Sequence, residues 1–75
     1  MLKEFNWISD GNYYSKRAGE YEVTVQEIPY GYLVALWKWE PNELIEDQNF
    51  LGTDLNTLLR CLALADQLLK QNKKS

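Results

Sequence analysis

The run Tyr32-Leu33-Val34-Ala35-Leu36-Trp37-Lys38-Trp39 constrains this chain more than any other stretch. It falls well short of the ~20 apolar residues that a membrane-crossing helix needs. Aliphatic and aromatic side chains dominate it, and turn residues bound it: Pro29-Tyr30-Gly31 before, Pro41-Asn42 after. Such a run reads as a strand covered on both faces, inside a sheet. Side chains alternate along a strand, so Trp37 and Trp39 share one face with Leu33 and Ala35, and Tyr32, Val34 and Leu36 share the other.

Other segments arrange themselves around that strand. Residues 1–9 form an N-terminal segment or first strand containing Phe5 and Trp7. Asp10-Gly11 predicts a two-residue type I′ turn. Asn12 to Arg17 follows as a strand, and Ala18-Gly19 turns the chain again. From Glu20 to Gln26 the alternation is clean, with Tyr21, Val23 and Val25 on one face. The segment from Glu40 to Asn49 is acidic and turn-rich, and Leu44-Ile45 starts a short fifth strand at the edge. A β-meander over 12–51 results. Thr53 or Asp54 then caps a helix over 54–70, and 71–75 is a frayed polar tail. At 100° per residue the helix gathers Leu55, Leu58, Leu59, Leu62, Ala65 and Leu69 on a core face. The fold class is α+β: an antiparallel meander of three to four strands, with the short edge strand as a fifth, packed on one C-terminal helix.

Composition narrows the chemistry. With 75 residues the chain is one domain, and one this small buries only ~60% of its unfolded surface. Three Trp, five Tyr and two Phe offset that, because aromatic rings bury large areas. His is absent, which removes His-based triads, His–Cys zinc sites and the usual neutral-pH switch. Cys61 is the only cysteine, and no signal peptide is apparent, so a cytoplasmic setting is expected. No phosphate loop, serine elbow or metal-spaced cluster appears. Glu40, Glu43, Glu46 and Asp47 supply oxygens for a hard cation, but they lack the glycine and spacing of a calcium loop, so they read as a solvated acidic loop. A non-enzyme without cofactor or metal is expected.

The remaining candidates are surfaces. A single helix covers one sheet face, so the other keeps apolar area for a partner. Tyr32, Trp37, Trp39, Glu40, Glu43, Glu46 and Asp47 form the expected partner-binding set. Cys61, Leu64 and Leu68 form a second helix stripe, expected to pair with its own copy in a homodimer. The net charge of −3 argues against general nucleic-acid binding, which needs a basic footprint.

Tyr21-Glu22-Val23-Thr24-Val25, Gly31-Tyr32-Leu33-Val34-Ala35-Leu36 and Leu51-Gly52-Thr53-Asp54-Leu55 occur in an order that resembles the small HicB-type antitoxin domains. The same order resembles the sheet-plus-helix DNA-binding domains of the AP2 family and of phage integrase N-termini. These resemblances imply a topology and no functional residue. The DNA-binding sheets carry Arg and Lys on their open face, for which this chain offers Lys16, Arg17 and Lys38. In size and acidity the chain is similar to phage-encoded inhibitors of host defence, anti-CRISPR proteins among them. The leading expectation is a small acidic interaction module of bacterial or phage type, an adaptor or inhibitor that docks on a larger protein. The alternative is a nucleic-acid-binding sheet or a HicB-like antitoxin.

Overall fold

The computed structural model describes residues 7–39 and 42–73. Phe5 and Glu40, which entered the sequence expectations, lie outside the described residues. Five strands follow one another as β1 (Ile8–Asp10), β2 (Tyr13–Ala18), β3 (Tyr21–Ile28), β4 (Gly31–Lys38) and β5 (Glu43–Leu51), and α1 (Leu55–Lys73) closes the chain. They form one antiparallel sheet in sequence order.

Two-residue turns build the first half. Asp10 pairs with Tyr13 and Ala18 with Tyr21, leaving Gly11-Asn12 and Gly19-Glu20 as the loops. Gly11 and Gly19 take φ of 65° and 63°, while Asn12 and Glu20 stay at negative φ. That is the type II′ pattern, with Gly at the first central position. The first turn thus sits one residue later than the expected Asp10-Gly11 type I′ turn. The third loop is Pro29-Tyr30, with Tyr30 at φ 73°. Proline followed by a left-handed residue makes a type II turn, here with tyrosine where glycine is favoured.

Val23 and Val25 of β3 and Tyr32, Val34 and Leu36 of β4 face α1. Cys61, Leu62, Ala65 and Leu69 complete this core from the helix, with Trp7, Tyr14, Phe50, Leu58 and Leu68 around it. Asp54 caps the helix: its carboxylate accepts the Thr57 hydroxyl at 2.7 Å. That bond, then backbone N–H groups, holds its carboxyl below the ordinary carboxylate range. On the flank, the Lys16 ammonium of β2 donates to Asp66 at 2.6 Å, and Lys70 lies 3.3 Å from the other Asp66 oxygen. Among the described residues no helix is long and apolar enough to cross a membrane.

Four expectations need correction. The acidic segment is not a loop, and the edge strand is not short: β5 has nine residues and pairs along the whole of β4, with a bulge at Ile45. Glu46-Asp47-Gln48-Asn49 hides it, because an edge strand wet on both faces has no apolar alternation to read. Helix α1 runs to Lys73, past the expected end at Lys70. The core stripe is also rotated. Leu55 and Leu59 are 67% and 53% exposed, whereas Cys61 is fully buried. Small Cys61 and Ala65 let the helix approach the sheet closely, and eight leucines between 51 and 69 exceed what one face can hold.

Candidate functional site: the open face of the sheet

The face away from α1 is built in cross-strand rows. Ile8, Ser15, Thr24, Ala35 and Asp47 are successive partners across all five strands. Ser15, Thr24 and Ala35 are small and buried, though no helix covers them. Larger neighbours rise on both sides. One flanking row is Tyr13, Gln26, Leu33 and Asn49; the other is Arg17, Glu22, Trp37 and Leu44. Between the two tall rows lies a shallow groove centred on Thr24.

The hollow around Thr24 measures about 180 Å³ and is lined by Tyr13, Glu22, Thr24, Trp37, Trp39 and Asn42. Both indoles are fixed there. Trp37 Nε1 donates to the Thr24 hydroxyl at 3.3 Å, and Trp39 Nε1 donates to Glu22 at 3.0 Å. The Arg17 guanidinium lies 4.9 Å from the Trp39 ring centroid, on its face. Trp39 is further anchored by its backbone N–H, which donates to Glu20 C=O at 2.7 Å. Ile8, Tyr13, Leu44 and Leu51 extend the same face and are exposed.

Of the expected partner-binding residues, Trp37 and Trp39 are on this face and half-buried. Tyr32 is not available. It is 6% exposed and packs under α1, where burial foremost raises its phenol pKa. Glu43, Glu46 and Asp47 are exposed on β5. Glu46 stands opposite Leu36 on the helix side and Asp47 opposite Ala35 on the open side, so the two carboxylates diverge and do not form a cation cradle.

The self-association stripe is broken up as well. Cys61 is a core residue whose thiol pKa burial pushes up, leaving only half-buried Leu64 and Leu68 near the surface. Sequence reasoning missed Tyr13, Glu22 and Thr24, and reached Arg17 only as a candidate cation of the open face. The signal was the register, which no single strand displays.

Of the three cations expected on the open face, only Arg17 is there. Lys16 pairs with Val23 and Lys38 with Tyr21, both on the helix side of the sheet. Asp10, Glu22 and Asp47 oppose Arg17, so the face is net acidic. Among the described residues no buried side-chain polar atom lacks a partner. No protein-family model, curated protein or solved structure matches the chain.

Proposed function

We propose that this protein is a non-enzymatic interaction module, an adaptor or inhibitor that docks on a larger protein through the open face of its sheet. The observation that carries this reading is the pair of fixed indoles, Trp37 and Trp39, beside Tyr13 and Arg17 in a shallow groove. Trp, Tyr and Arg are the side chains that dominate binding energy at protein interfaces. Holding them in place beforehand lowers the entropy lost on docking. The groove, at about 180 Å³, is smaller than the usual ~300–1,000 Å³ of small-molecule sites and suits one inserted partner side chain.

The nucleic-acid alternative is weaker, because one cation among three carboxylates gives phosphates little to bind. The experiment is affinity isolation with the parent and with a Trp37→Ser/Trp39→Ser variant, followed by reconstitution with the purified partner. The variant should stay folded by circular dichroism and lose the partner. Titration with mixed DNA and RNA at low salt should give no complex. Nucleic-acid binding with a steep salt slope would replace this reading.

A further inference from the structure

We propose that β5 is a strand-addition site that takes an extended, Lys- or Arg-bearing segment of another protein as a sixth strand. The two rims of the sheet are unequal: β1 has three residues and β5 has nine. Among the described residues β5 pairs only with β4, and no strand lies on its outer side. One bond tells which of its amides lie there. Gly52 N–H donates to Tyr30 C=O at 2.8 Å, one step beyond the Gly31–Leu51 pair. Antiparallel ladders alternate bonded and non-bonded pairs. Phe50 and Gln48 therefore bond to β4, while the N–H and C=O groups of Asp47, Asn49 and Leu51 point outward.

Charge selects the occupant. β5 carries Glu43, Glu46 and Asp47 and no Lys or Arg. Glu43 has Lys38 across from it, but Glu46 and Asp47 stand opposite Leu36 and Ala35. Neither joins an ion pair among the described residues. A second copy of β5 fits poorly. Full overlap about a two-fold axis centres on Asp47 and sets it against itself, with Glu46 beside it, and like charges directly opposite destabilise a pair. A basic strand turns the same charges into attraction. The carboxylates thus discourage self-pairing, as an edge strand requires, and admit one type of partner.

The helix supplies a wall for such a strand. Asp66 reaches Lys16 on β2, so that flank of α1 faces β2. Leu64 and Leu68 are two residues away on either side, about 200° round, on the flank toward β5. Helix-side residues of a sixth strand would meet them next to Glu46. The outer side of β5 stands apart from the pocket lined by Trp37 and Trp39, which includes no residue of β5, and does not depend on it.

The test uses the full chain and a capped peptide of alternating Lys and Val about as long as β5, with a Glu–Val peptide as control. The Lys–Val peptide should bind, and its affinity should fall as salt rises. Hydrogen exchange should slow at the amides of Asp47, Asn49 and Leu51, and change little at Gln48 and Phe50. Asn49→Pro removes an outward N–H and no bond to β4. It should leave the circular dichroism spectrum unchanged and weaken the peptide about tenfold, the equivalent of one lost hydrogen bond. A peptide N-methylated along one edge should fail to bind the parent, which keeps the test independent of that variant. Trp37→Ser/Trp39→Ser should bind the peptide normally. Equal binding of the Glu–Val peptide, binding of neither, slowed exchange at β1 or in the groove, or a dimer of the chain alone by sedimentation would each overturn the proposal.

Discussion

Two alanine substitutions three residues apart on α1 separate the observed helix orientation from the one the leucine pattern implies. Leu62 is 7% exposed and belongs to the core, whereas Leu59 is 53% exposed. Both are leucines within the same helix, so the change in helix propensity is the same in Leu59→Ala and Leu62→Ala and cancels in the comparison. Leu62→Ala loses its transfer term and leaves a cavity between α1 and the sheet, at a cost of ~2–5 kcal/mol. Leu59 gives up about half of a full burial, which limits the cost of Leu59→Ala to ~1 kcal/mol. Domains have ~0.05–0.15 kcal/mol of stability per residue, so the first change removes a large fraction of the total here. The assay is urea unfolding by tryptophan fluorescence with a thermal melt alongside. Leu62→Ala should lower the melting temperature by at least ~8 °C, and Leu59→Ala by much less. Equal losses from the two variants would refute the orientation of α1 on the sheet.

Three further outcomes follow from single contacts. Tyr30 holds φ at 73° and is 82% exposed, so it carries strain without burial in return. Tyr30→Gly should raise stability by up to ~1 kcal/mol in urea, and a loss would mean that the turn is not strained. A Cβ at Gly31 would lie 1.8 Å from the Phe50 carbonyl oxygen, a backbone atom that cannot swing away. Gly31→Ala should therefore cost at least ~2 kcal/mol, and a neutral result would place β4 and β5 farther apart at that end. Hydrogen bonding from Lys16, then Lys70, holds the Asp66 carboxyl below the ordinary carboxylate range. Its folded pKa is below its unfolded one, so its contribution is complete above pH ~4 and is lost as pH falls through the folded value. Asp66→Asn should cost on the order of 1 kcal/mol at neutral pH and flatten the acid limb of the stability profile; an unchanged acid limb would contradict the ion pair.

The strands with one dry face were legible in the sequence. Tyr21, Val23 and Val25 alternate with polar residues, and their covering by α1 is what makes the alternation visible. The division of β4 into a Tyr32–Val34–Leu36 face and a Leu33–Ala35–Trp37 face was legible for the same reason. For β5, Leu44-Ile45 marked the start of an edge strand but its length was not legible, because its backbone is held by β4 while its side chains face water. The helix was legible as a helix but not in its rotation. Leucine weighs equally at Leu55 and Leu62, and only the sheet decides which one is dry. The open-face groove lay further out of reach. Its floor of Ser15, Thr24 and Ala35 comes from three strands, and each of these small residues is unremarkable within its own segment.

The central claim, that the open face is where a protein partner docks, has an internal control in the chain's own tryptophans. Trp37 and Trp39 line the groove, whereas Trp7 packs against the core on the helix side, with Lys16 Nζ 5.6 Å from its ring centroid. The indole N–H resonances of the labelled protein therefore report on both faces in one spectrum. On titration with the purified partner, the Trp37 and Trp39 signals should shift or broaden while the Trp7 signal stays in place. A shift confined to Trp7, with Trp37 and Trp39 unmoved, would contradict the account.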